Sequence, residues 1–103
     1  MDRIEKLKEF LLASPKDNFL RHALALEYLK VGQDNDAKLL FETILTESPD
    51  YIGSYYHLAK LLERTGEFDK AITIYKKGME QAKRAGDGHT YNELQGALED
   101  IED

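Results

Sequence analysis

The chain has no cysteine, only two prolines, and no apolar run that approaches the length of a bilayer crossing. Each absence removes a class of answer. Without cysteine there are no disulfides, no thiolate nucleophile and no zinc site built on sulfur, although a cysteine-free chain suits any compartment. A membrane helix needs about 20 consecutive apolar residues. The opening MDRIEKLKEF instead puts charge into every turn and has no apolar signal core, so nothing points to export and the cytoplasm is the default location. Basic residues are missing from one region. Residues 87–103 hold Asp87, Glu93, Glu99, Asp100, Glu102 and Asp103 with no Lys or Arg, so the net charge of -6 is a property of the C-terminal end. That end repels phosphate backbones, and the charge-balanced remainder offers no basic stripe, so nucleic acid is not an expected partner.

Constellations that carry chemistry are absent too. His22, His57 and His89 are spaced so that no two sit three or four residues apart on one helix, as a zinc site would want. Gly86 and Gly88 bracket Asp87, which repels phosphate, and no Lys-Ser or Lys-Thr follows them. Ser14 and Ser48 precede prolines and lack the strand-turn-helix setting of a nucleophilic serine. The carboxylates Glu63, Glu67 and Asp69, and again Glu99, Asp100 and Glu102, read as exposed helix charge and not as an acid/base pair in a dry pocket. The expectation is a non-catalytic chain with no cofactor and no metal.

What the sequence does contain is a period. Sliding it by 34 residues lays Ser14-Pro15 on Ser48-Pro49, Leu24-Ala25 on Leu58-Ala59, Gly32 on Gly66 and Ala37 on Ala71. The identities are few, but they are a proline, a glycine and small residues, the types that mark turns and close helix contacts. Phe41 also falls on Tyr75, Leu40 on Ile74 and Leu45 on Met79. Between these marks the apolar positions follow helical spacing: Tyr55, Leu58, Ala59 and Leu62; Phe68, Ala71, Ile72 and Tyr75, extended by Met79 and Ala82; Leu24, Ala25 and Tyr28; Ala37, Leu40, Phe41, Ile44 and Leu45. Gly32 and Gly66 fall between the two helices of each pair, where a positive φ is wanted. Pro15 and Pro49 close one pair before the next begins. Leu7, Phe10 and Leu11 align with Phe41, Ile44 and Leu45, so residues 2–13 read as half a repeat. Tyr91, Leu94, Ala97, Leu98 and Ile101 predict a sixth helix that caps the last pair. The layout is one all-α domain over 1–103, with a half-repeat helix at 2–13, a first repeat at 17–49, a second at 51–85 and a capping helix at 89–101.

These residues resemble the tetratricopeptide repeat, whose signature places a Leu-small pair, an aromatic and an Ala-x-x-x-aromatic at fixed offsets. The second repeat supplies Tyr55, Leu58, Ala59, Leu62, Ala71 and Tyr75, and the first supplies Leu24, Ala25, Tyr28, Ala37, Phe41 and Pro49. Arg21 departs from the pattern where an aromatic is usual, Leu62 replaces a Tyr, Asp34 stands opposite Phe68, and Lys83 replaces the second closing proline. The last change predicts a fifth helix that runs past the usual stop.

The resemblance implies a short right-handed superhelical solenoid of antiparallel helix pairs, with the first helix of each pair lining a concave binding face. Carried over by position, the lining residues are Phe19, His22, Leu26, Leu29 and Lys30 in the first repeat, and Gly53, Tyr56, Lys60, Glu63 and Arg64 in the second. His22 and Leu26 stand where one subtype places a carboxylate-clamping Lys and Asn, so that clamp is not expected. The function implied is protein-protein interaction, with a peptide or partner helix on the concave face. The alternative is structural self-assembly, as a homo-oligomer or as part of a longer array.

Overall fold

Every regular element is a helix. The computed structural model describes residues 2–102, and the order along the chain is α1 (Arg3–Ala13), α2 (Asn18–Lys30), α3 (Asp34–Glu47), α4 (Gly53–Arg64), α5 (Phe68–Ala85) and α6 (Gly88–Glu102). There is no strand among the described residues. Two compact units form. One ends at Glu47 and holds α1 to α3; the other begins at Ser48 and holds α4 to α6.

Local chemistry starts and stops these helices. Asp2 and Asp17 cap α1 and α2 by accepting from the amides of Glu5 (2.9 Å) and Leu20 (3.1 Å). The turns after α2, α4 and α5 share one design. Gly32, Gly66 and Gly86 adopt φ of 78°, 82° and 70°, and the next amide reaches back five residues to a helix carbonyl: Gln33 to Tyr28 (2.9 Å), Glu67 to Leu62 (2.8 Å) and Asp87 to Ala82 (2.9 Å). This is the Schellman closure, in which left-handed glycine lets two orphan carbonyls find donors. The expectation at Gly32 and Gly66 is met. Lys83 lies inside α5, which is 18 residues long where α3 is 14, so the missing proline lengthens that helix as anticipated.

In the first unit α2 packs on both α1 and α3, and in the second α5 packs on both α4 and α6. Leu7, Leu24, Ala25, Tyr28, Ala37, Phe41 and Ile44 are buried in one; Tyr55, Leu58, Ala59, Leu61, Leu62, Ala71, Tyr75, Ala82, Leu94, Ala97 and Leu98 are buried in the other. The four alanines at matched repeat positions, Ala25, Ala37, Ala59 and Ala71, expose no surface at all. Small side chains there let helix axes approach to about 8 to 10 Å. Two assignments to the packing stripe need correction. Phe10 and Phe68 have helical spacing but are 58% and 53% exposed. Each is at the edge of its apolar stripe, and spacing alone does not say how wide a stripe the neighbouring helix covers.

One close contact escapes periodicity altogether. A Cβ built on Gly78 would lie 2.7 Å from the Tyr55 Cβ and 2.9 Å from the Leu94 Cδ1, so α5 meets both α4 and α6 at a residue with no side chain. The matched position in the first repeat is Ile44, which is fully buried.

Candidate functional site

The first-helix faces singled out by the repeat are α2 in the first unit and α4 in the second. On α2, Asp17 caps the start and the Gly32 turn closes the end, so the helix is fixed at both termini. Leu24, Ala25 and Tyr28 turn one stripe inward, which leaves Phe19, His22, Leu26 and Lys30 on another side. Phe19 is 73% exposed, His22 and Leu26 are half-buried, and all three, with Ala23, Glu27, Lys30 and Arg3 of α1, line a cleft of about 380 Å³.

The cleft has an apolar wall and a charged rim. Phe19, Ala23 and Leu26 supply carbon surface, and the His22 ring meets Phe41 edge-on at 5.6 Å, which holds the imidazole against the core. On the rim Glu27 accepts two cations, Arg3 at 3.3 Å and Lys30 at 3.0 Å. Glu27 is the more buried partner in both pairs, so one carboxylate balances two positive groups and the rim keeps a positive surplus. Sequence reasoning missed Arg3, Ala23 and Glu27. Arg3 and Glu27 are 24 positions apart on different helices, and no local pattern signals that α1 crosses α2 where they meet.

Leu29 is half-buried and lies outside this cleft, so the two leucines that interrupt the polar side of α2 have different surroundings. Lys30 is exposed.

On α4, Gly53 and Arg64 are exposed at the two ends, while Tyr56, Lys60 and Glu63 are half-buried between them. The Lys60 ammonium sits 5.7 Å from the centre of the Tyr56 ring, within cation-π range, and the His57 ring meets Tyr56 edge-on at 5.8 Å. Burial holds the His57 imidazole below its usual pKa, against an opposing effect of Glu93. Glu63 corrects the reading of it as exposed helix charge. Its carboxylate accepts from the phenol of the fully buried Tyr75 and pairs with Lys60 at 3.5 Å. Burial first, and this hydrogen bond second, push the Tyr75 phenol far above its usual pKa of 10.0. Glu63 thus links a core phenol to a surface lysine, and Lys60 links that carboxylate to the Tyr56 ring.

No group of three or more His, Asp or Glu side chains is placed to hold a metal among the described residues. No described helix is long and apolar enough to cross a membrane.

Residues 28–98 match the sequence profile of the tetratricopeptide repeat. The solution structure of a tetratricopeptide repeat domain protein from Salinibacter ruber is 44% identical in sequence and superposes with a TM-score of 0.82, covering 85% of this chain and 89% of that one. A protein from Bordetella parapertussis, also solved in solution, is 25% identical, with a TM-score of 0.84 over 98% of this chain and 88% of its own. Among curated proteins, the mouse interferon-induced protein with tetratricopeptide repeats 3 is 24% identical over 74% of this chain, and human aspartyl/asparaginyl beta-hydroxylase is 25% identical over 92%. This chain spans 19% and 13% of the length of those two proteins.

Proposed function

The chain belongs to the tetratricopeptide repeat family, a repeat fold that is typically non-catalytic and mediates protein-protein interaction, and on that premise we propose that it is a cytoplasmic, scaffold-type module that takes a peptide or a partner helix on the exposed side of α2 in the first unit or of α4 in the second. The observation that carries this reading is the cleft beside α2. Phe19 is a large aromatic left 73% exposed over an apolar wall, next to a rim where Arg3 and Lys30 share a single carboxylate. An aromatic anchor beside a cation is the usual composition of an interface hot spot. Tyr56 under Lys60 repeats that composition on α4. On either face, the segment that suits it carries a hydrophobic side chain close to an acidic one.

Peptides selected from a random library against the wild-type protein test the proposal when their affinities are then measured by calorimetry. Phe19→Ala with Lys30→Ala, and Tyr56→Ala with Lys60→Ala, are expected to weaken the selected peptides by at least about tenfold while the helical circular dichroism stays unchanged, a loss in the range of one hot-spot residue. Equal affinity for wild type and both folded variants would overturn it.

A further inference from the structure

The two repeats fill one core position with different rings. Phe41 and Tyr75 fall on each other at the 34-residue offset, both are fully buried, and only Tyr75 carries a hydroxyl. The first repeat thus packs this place without a phenol, so packing does not account for the Tyr75 oxygen. That oxygen donates to Glu63, whose side chain is only 17% exposed. At the positions that match Tyr56, Lys60 and Glu63, the first repeat has His22, Leu26 and Leu29. The buried phenol, the carboxylate and the ammonium therefore occur together in one repeat and are all missing from the other.

Glu63 divides its charge between two donors. The same carboxylate oxygen, Oε2, accepts from the Tyr75 hydroxyl and faces the Lys60 ammonium at 3.5 Å. A closed ammonium-carboxylate bond spans about 2.7 to 2.9 Å, so Lys60 is held in place without being fully engaged. An ammonium has three donors, and this one also lies 5.7 Å from the centre of the Tyr56 ring, on a side chain 42% exposed. Without the phenol, a carboxylate largely shielded from water keeps Lys60 as its partner and has to satisfy itself there. The ion pair then tightens, the ammonium leaves the ring, and its charge is spent on Glu63.

We propose that Tyr75 is a positioning residue for the α4 face: acting through Glu63, its buried hydroxyl keeps the Lys60 ammonium over Tyr56 and open to a carboxylate of the partner. The proposal rests on the reading of α4 as a binding face. It gives that face a selectivity for an acidic side chain over the corresponding amide, set by a residue that no partner touches.

The probe is a library-selected peptide that carries an acidic residue beside a hydrophobic one and that Tyr56→Ala with Lys60→Ala weakens, compared with its twin in which the acid is replaced by the amide. Calorimetry on Tyr75→Phe is expected to show the acidic peptide weakened by about threefold, the scale of one solvent-facing charge contact, and the amide twin unchanged. A general loosening of the core would weaken both. Phe41 shows that a phenylalanine fits this place, and circular dichroism checks that the variant is folded. In a Lys60→Ala background Tyr75→Phe should no longer affect the acidic peptide, because the group it positions is gone. No loss for the acidic peptide, equal loss for both peptides, or a loss that persists without Lys60 would overturn the proposal and leave α4 a binding face. If no selected peptide responds to the Tyr56 and Lys60 substitutions, the proposal and the α4 reading fall together.

Discussion

Tyr55 donates its hydroxyl to the carbonyl oxygen of Pro49 at 2.5 Å, six residues back, and ties α4 to the turn that precedes it. At the matched position of the first repeat Arg21 does the same work with different chemistry: its Nε donates to the Pro15 carbonyl at 3.0 Å, and its Nη1 donates to Asn18 at 3.3 Å and to Glu47 at 3.0 Å. The departure from the usual aromatic therefore preserves the contact and replaces the chemical group. Burial is the main reason the Tyr55 phenol is raised above its usual pKa, with Asp50 and Glu80 adding to it, so the hydroxyl stays a donor through the neutral range.

Replacing these two residues should separate contact from chemistry. Tyr55→Phe is expected to lower stability by about 1 kcal/mol, the net worth of one hydrogen bond whose acceptor can return to water. Arg21→Tyr should cost less than Arg21→Ala, because a phenol at that position can again reach the Pro15 carbonyl. Urea midpoints of the three variants check the order.

Gly78 and Gly96 should respond in opposite directions to the same substitution. Gly96→Ala, in α6 with no atom within 4 Å of the new methyl, is expected to stabilise the chain by about 1 kcal/mol through helix propensity. Gly78→Ala drives a methyl onto the Tyr55 Cβ at 2.7 Å, an atom that cannot move without its backbone, and should destabilise by about 1 to 3 kcal/mol. Thermal melts of both variants decide it; matching signs would contradict the packing described for α5.

Ala59→Leu tests the helix crossing inside the second unit. Ala59 exposes no surface, so the larger side chain has no room and is expected to cost about 1 to 3 kcal/mol. An unchanged urea midpoint would count against the repeat register.

Acid should loosen α6 through Asp87. Its carboxylate accepts from the Thr90 amide at 3.0 Å and from the Thr90 hydroxyl at 2.7 Å. The amide bond, then the hydroxyl bond, hold its pKa below the usual 3.8, with His89 adding to the effect against a small opposing desolvation. A carboxyl depressed in the folded chain favours folding above its unfolded value, and that contribution disappears as pH falls through the folded value. The loss is thus confined to pH below about 4. Carboxyl NMR titration should place Asp87 below the usual 3.8, and Asp87→Asn, which keeps a capping acceptor, should remove its share of the acid sensitivity.

Tyr75→Phe should destabilise by about 1 to 2 kcal/mol, because Glu63 loses the phenol that anchors it and keeps only Lys60. The same variant frees the Glu63 carboxylate to draw Lys60 away from Tyr56, so a change in Tyr56 fluorescence or ring shift is expected alongside the stability loss.

The helices, their turns and most of the core were legible because they depend on short-range regularities. Positive-φ glycines at Gly32 and Gly66, the buried alanines at Ala25, Ala37, Ala59 and Ala71, and the length of α5 all follow from residue type at fixed spacing within one or two turns. Such features are set by backbone sterics and by which residues share a helix face, and a 34-residue period states them twice.

Contacts between helices distant in the chain were decided only by tertiary structure. Gly78 against Tyr55, Glu63 beneath Tyr75, and Arg3 reaching Glu27 each depend on the angle and depth at which two helices cross. Shifts of an ångström or two in a crossing change which side chains meet, while the apolar pattern that drives the helices together stays the same. The sequence by itself therefore determined the all-α repeat and its turns. The folded packing decided that Phe19 and Leu12 remain exposed beside clefts, that Phe68 leaves the core, and that Glu63 is a structural carboxylate.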